Sequence, residues 1–202
     1  MHTAWGRAQR NSSATTNAQT KGDNDMGWLF TQGQTRRQLI DHLTRTEENE
    51  HAKWVTLRRY CSGNTLYAVQ ERTVKESGEV TRFIGVYLMQ REQNYGWGYK
   101  DMDESCGPCE ITCPLGFFDM VPDPGGYATA WRQRCREAHA RKFQKLAVGQ
   151  TVRLTNGEDY KITKFIRRKV YGTDKNGCEW RIPRKMLTLQ TTQEVTRNVL
   201  RA

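Results

Sequence analysis

Hydrophobic positions begin to repeat only after residue 26. Residues 1–25, rich in Ser, Thr, Asn, Gln and Ala, follow neither a period of 2 nor one of 3.6 and are expected to form a disordered leader. Met26, followed by Gly27-Trp28-Leu29-Phe30, has the form of a second start, so either Met1 or Met26 is a candidate natural start. Leu39, Ile40 and Leu43 then fall on one helical face behind Thr35, a suitable N-cap. Glu47-Glu48-Asn49-Glu50 reads as an acidic solvated turn. Three strand-like runs follow: Trp54–Cys61, Thr65–Val74 and Val80–Met89. The short polar breaks between them, Ser62-Gly63-Asn64 and Glu76-Ser77-Gly78-Glu79, predict an antiparallel meander. One helix on that sheet makes a small α+β domain.

The character changes at residues 94–127, which hold Tyr95, Trp97, Tyr99, three cysteines and four of the five prolines. This stretch is expected to be a long ordered loop. Ala128–Leu146 predicts the clearest helix, with Trp131, Cys135, Ala138 and Lys142 on one stripe and no Gly or Pro inside. Beyond Val148 come short runs at Thr151–Leu154, Tyr160–Ile166, Lys169–Tyr171 and Glu179–Ile182, broken by Asn156-Gly157 and Asn176-Gly177. A single helical turn at Pro183–Leu187 and one last strand complete the pattern. Such short strands close a core only as a small barrel, so the expectation is an SH3-like β-barrel. The predicted organisation is a leader (1–25), an α+β domain of antiparallel sheet with one or two helices and a Cys-rich loop (26–140), a basic SH3-like barrel (141–190) and a tail (191–202).

Charge sharpens this division. The 202 residues carry a formal net charge of +10 and a pI of about 9.5, which points to a polyanionic partner. Residues 1–140 hold 17 basic and 17 acidic side chains, whereas 141–190 hold 13 basic and 4 acidic, a net of +9. The excess therefore belongs to the predicted barrel, and Arg153, Lys164, Arg167, Arg168, Lys169, Arg181, Arg184 and Lys185 are its candidate nucleic-acid or partner contacts. They are interleaved with Phe165, Tyr171 and Trp180. Cations neutralise phosphates and exposed rings stack on unpaired bases, although so small a core is expected to claim at least two of those rings. With 36% hydrophobic residues and no run near the ~18 apolar residues that cross a bilayer, no membrane span is expected. Sparse cysteines and no apolar signal segment after Arg7 lead to the expectation of a reduced, cytoplasmic protein.

Two further constellations carry chemistry. Cys109, Cys113, Cys135 and His139 give C-x3-C, a spacer, then C-x3-H, and the last pair shares one helical face. Thiolates and imidazole in that pattern suit one structural zinc. Plain buried cysteines and a disulfide are the competing readings. Tyr99, Asp101, Asp103 and Glu104 form an acidic stretch, read either as a partner-recognition loop or as carboxylates for acid–base work. No phosphate-cradling Gly-rich loop, nucleophile elbow or zincin motif is present, so a binding protein is expected before an enzyme.

The motifs Met26-Gly27-Trp28, Gly98-Tyr99-Lys100-Asp101-Met102-Asp103-Glu104, Gly107-Pro108-Cys109-Glu110, Cys113-Pro114 and Trp131-Arg132-x-Arg134-Cys135 resemble a phage- and plasmid-borne family of no assigned activity, over roughly residues 26–190. That pattern has counterparts of Cys109, Cys113 and Cys135, commonly has Met at Cys106, and has no fixed His at 139. The resemblance implies a mobile-element accessory protein in a bacterial cytoplasm. Its expected function is to bind and inhibit a host nucleic-acid-guided defence complex of the CRISPR or restriction type. The alternatives are a nucleic-acid-binding protein of element replication or regulation, and a zinc-dependent enzyme.

Overall fold

Thr35 starts the first helix as its sequence predicts. In the computed structural model, which describes residues 27–30 and 33–189, α1 spans Arg36–Thr44, and the Thr35 hydroxyl and the Gln38 side chain form a reciprocal capping box. The predicted leader, the Met26 start and the tail lie outside the described residues. Six strands make an antiparallel sheet: β1 (Trp28–Phe30), β2 (Glu47–Glu48), β3 (Ala52–Ser62), β4 (Thr65–Val74), β5 (Val80–Glu92) and β6 (Gly96–Asp103). Their order is β1-β6-β5-β4-β3-β2. The predicted meander β3-β4-β5 forms its centre.

Two expectations are corrected at the sheet's ends. Glu47-Glu48 is a paired edge strand, not a free turn, with Glu48 2.6 Å from the Lys75 ammonium. Charged side chains on a two-residue edge discourage pairing with another chain. The second correction is larger: the stretch holding Tyr99, Asp101 and Asp103 is strand β6, not a loop. Its alternation is hidden in the sequence because two of its eight residues are glycine and three are charged. Trp97 and Tyr99 pack toward α1, while Met102 packs against the opposite core. Gly98 is required where β1 crosses β6, since a Cβ there would lie 2.7 Å from the Leu29 carbonyl oxygen.

β4 is buried from Thr65 to Gln70 because both faces of the sheet are covered. Leu66 and Ala68 meet Leu39 and Leu43 of α1. Tyr67 and Val69 meet Phe117, Phe118, Val121 and Trp131 on the other side. That second cover consists of the segment after β6 and helix α2 (Gly126–Phe143). The segment has little regular structure of its own beyond two short 3-10 turns, Glu104–Cys106 and Leu115–Phe117. It is fastened by three residues within one turn of α2. The Trp131 indole donates to the Glu110 carbonyl at 2.8 Å. Arg132 makes a two-point contact with Glu104, at 2.5 and 2.8 Å, and donates further to the carbonyls of Val121 and Pro122. Arg134 donates to the carbonyls of Gly107 and Pro108.

A second antiparallel sheet follows, built from β7 (Thr151–Arg153), β8 (Asp159–Ile166), β9 (Lys169–Thr173) and β10 (Glu179–Ile182), in the order β10-β9-β8-β7. A 3-10 turn at Arg184–Met186 leads to Leu187, which bridges back to Leu154 beside β7. Its core is aliphatic: Val152, Leu154, Ile162, Val170, Ile182 and Leu187. The expectation that at least two of Phe165, Tyr171 and Trp180 belong to it is overturned, since none of the three is in the cluster, though Tyr160 packs against it. The described residues thus form mostly antiparallel sheet with two α-helices, the first sheet preceding the longer helix.

The buried pair yields a stability prediction. Arg132 and Glu104 are 1% and 2% exposed, and removing one partner strands the other charge in the core. Arg132→Met is expected to cost about 3–5 kcal/mol, whereas Arg82→Gln, at the half-exposed contact with Glu71, costs under about 1 kcal/mol. Chemical denaturation of the two variants beside wild type checks the contrast.

Candidate nucleic-acid interface

Cross-strand partners in an antiparallel sheet share a face, so the register of the second sheet sorts its side chains. Tyr171 of β9 pairs with Lys164 of β8 and with Arg181 of β10. These three form one row across the solvent face, with the Lys164 ammonium 5.7 Å from the Tyr171 ring centroid. Two residues along each strand, Ile166 and Lys169 pair on the same face. The hairpin between them is the two-residue loop Arg167-Arg168. Arg167 takes φ +51°, a left-handed conformation that hairpin loops normally assign to Gly or Asn. For an L residue with a bulky side chain this conformation is strained.

All four acids of this sheet are occupied. Asp159 makes a two-point contact with Arg153 at 2.8 and 2.9 Å, whose hydrogen bond holds the Asp159 carboxyl below its usual range. Glu179 lies 2.7 Å from Lys164 and accepts from Thr163, and both contacts lower its pKa. Glu158 accepts from Tyr160 and Asn156. Asp174 accepts from the Trp180 indole and from loop amides.

Of the eight predicted cations, Arg153 and Lys164 are therefore offset by acids. Arg184 is also engaged, donating to the carbonyls of Lys142 and Gln144 at the end of α2. This favours a cation for a structural reason, because unpaired carbonyls and the negative dipole end collect there. Arg167, Arg168, Lys169, Arg181 and Lys185 have no acidic partner among the described residues. They lie on the Tyr171 face, at its hairpin tip, and on the 3-10 turn.

The exposed rings lie off this face, since Phe165 pairs with the buried Val170 and Trp180 with Gly172, which puts both on the other side of the sheet. Phe165 is 42% exposed and Trp180 is 54% exposed. Sequence reasoning missed the end of α2, where Phe143 is 61% exposed and Lys142 and Lys145 stand beside it. Together with Phe165 and Arg184 they line an open groove of about 580 Å³. The signal was present in the run Arg141-Lys142-Phe143, but it reads as an ordinary helix end until β8 is folded against it.

The predicted metal set is only half assembled. Cys113 and Cys135 are buried in the core cluster over the first sheet. Burial raises both thiol pKa values, that of Cys135 to about 11. Cys109 is exposed, and His139 lies exposed on α2 with its ring 4.5 Å from that of Phe143. Among the described residues no three Cys, His, Asp or Glu side chains gather in a metal-sized group, so the four predicted ligands do not form one shell as placed. The acidic stretch is likewise used by the fold: Glu104 is paired with Arg132, and Asp103 caps the first 3-10 turn through the Ser105 amide and hydroxyl.

Residues 122–185 match a family model described as "Domain of unknown function (DUF6927)". The matched segment runs from the Pro122 carbonyl held by Arg132 through α2 and the second sheet to Lys185. No curated protein and no solved structure matches the chain. No helix among the described residues is long and apolar enough to cross a membrane.

Thiol accessibility tests the cysteine placement. A thiol reagent at pH 8 is expected to label Cys106, Cys109 and Cys178 quickly, and Cys113 and Cys135 only on unfolding; protection of Cys109 that a chelator abolishes would instead point to a metal. At the hairpin tip, Arg167→Gly is expected to leave stability unchanged or raise it by up to about 1 kcal/mol while weakening binding to a polyanion. Thermal melts and heparin affinity measure both arms.

Proposed function

We propose that this protein is a non-enzymatic binding protein that grips nucleic acid, free or within a nucleoprotein complex, through the outer face of its second sheet. The observation that carries this reading is the imbalance on that face. Five cations lack an acid among the described residues, while every acid of the sheet is already engaged, and the cations surround the Lys164–Tyr171–Arg181 row. A merely solubilising charge would need neither the row nor an arginine held at φ +51°. In this reading the second sheet is an SH3-like barrel. The strand order, the 3-10 turn after β10 and the Leu187–Leu154 bridge support that assignment. Glu104 and Asp103 are held by structural partners, which favours binding over acid–base chemistry.

The resemblance to a phage and plasmid family supports a more specific version, in which the gripped complex belongs to a nucleic-acid-guided host defence and is inhibited by the contact. A plain role in replication or regulation is the other version. Tight one-to-one binding to a host nucleoprotein, with little affinity for naked nucleic acid, favours inhibition. Strong binding to naked nucleic acid favours the accessory role.

The common core is tested by changing Arg167, Arg168 and Lys169 together to Gln. If each neutralises one phosphate, the slope of log affinity against log salt falls by about 0.7–0.9 per residue. Changing Arg36 and Arg37 to Gln should do much less, because acids balance the first sheet's region. An unchanged slope in the triple variant would place the functional surface elsewhere.

A further inference from the structure

The groove between the end of α2 and strand β8 has a chemistry different from that of the flat cationic face. Two phenyl rings, Phe143 and Phe165, line it with much of their surface exposed. Lys142 and Lys145 stand at its rim, and the Lys142 ammonium lies 5.4 Å from the Phe143 ring centroid. Gln144 lies between those lysines in sequence. Its carbonyl is held by Arg184, but both polar atoms of its side-chain amide are buried and have no hydrogen-bond partner among the described residues. A buried amide without partners is costly, and in a stable protein it asks for an explanation.

We infer that this groove takes an unpaired nucleotide of a single-stranded nucleic acid, its base stacked on Phe143 and Phe165 and read by the Gln144 amide. This rests on the proposed nucleic-acid binding and adds to it the class of strand and the residues that select it. Three features support one occupant. Aromatic rings in a cationic rim match a base with its phosphate. An amide offers a paired donor and acceptor, which the edge of an unpaired base satisfies at two points. A duplex keeps its bases stacked inside and presents neither a free face to the rings nor a free Watson–Crick edge to the amide. The net charge of the surrounding region argues for an anionic strand over an apolar helix of a protein partner.

The test uses the full chain and fluorescein-labelled 12-mers: single-stranded DNA and RNA of one mixed sequence, homopolymers of each base, and the matching 12-base-pair duplex. Wild type is expected to bind one or both single strands at least tenfold more tightly than the duplex. Phe143→Ala with Phe165→Ala removes no charge, and both rings are exposed, so the melting temperature should hold. Single-strand affinity should fall about tenfold or more while the salt slope and duplex affinity stay as in wild type. Gln144→Met, which keeps the side-chain length, should flatten the affinity differences among the homopolymers.

Equal affinity for duplex and single strand, together with a silent aromatic double variant, would overturn the groove reading while leaving the cationic face standing. No binding to any oligonucleotide would overturn both. A double variant that loses single-strand and duplex affinity in parallel would show that the rings support the sheet rather than a base. Against that outcome, Phe143→Leu with Phe165→Leu keeps apolar bulk without a ring, and it should retain the fold yet lose the single-strand preference.

Discussion

The contact between Glu104 and Arg132 joins the first sheet to the segment and helix that cover it. A carboxylate just after β6 and a guanidinium nearly two turns into α2 are both removed from water, which costs each several kcal/mol unless the partner is well placed. Arg132 meets that condition by spending its other donors on the carbonyls of Val121 and Pro122. One side chain thereby ties the sheet, the irregular segment and the helix into a single arrangement. The same arrangement carries the apolar cover of Phe117, Phe118, Val121 and Trp131 that packs on Tyr67 and Val69 of β4 and Ile84 and Val86 of β5.

This explains the run Trp131-Arg132-x-Arg134-Cys135 without recourse to a ligand. Three of its side chains bind the backbone or carboxylate of the preceding segment, and the fourth packs beside Cys113. An irregular stretch rich in Pro and Gly has few ladder hydrogen bonds, so its carbonyls must be satisfied by side chains. Arginine and tryptophan, with rigid donors at the end of long arms, do that from a helix.

Much of the fold was legible where a pattern is local. The Thr35 cap, the turn at Gly63-Asn64, the bounds of β4 and β10 and the helix around Trp131 all follow from residues within a few positions of one another. Strand β6 was not legible, because Gly96, Gly98 and the acids take meaning only from β1 and β5 beside them. Of the candidate sites, the local charge excess from residue 141 onward was readable. The division between cations that bind outward and those used by the fold was not. Arg184 and Arg167 look alike in sequence, but one closes a helix end 40 residues away and the other holds a hairpin tip. The spacing of the predicted zinc ligands likewise says nothing of burial. Cys135 and His139 do share a helical face, but Cys135 turns into the core at the point where His139 leaves it.

The order of the elements has a consequence for how the chain is made. The strands of the first sheet all emerge from the ribosome before the segment and helix that cover one of its faces. Between the end of β6 at Asp103 and the Trp131–Cys135 turn, Tyr67, Val69, Ile84 and Val86 have no cover of their own. At about 5–20 residues per second, translation leaves that apolar face open for a few seconds. During that interval it is a surface for a chaperone or for a second nascent chain, and newly made protein is most prone to aggregate until Arg132 has been synthesised.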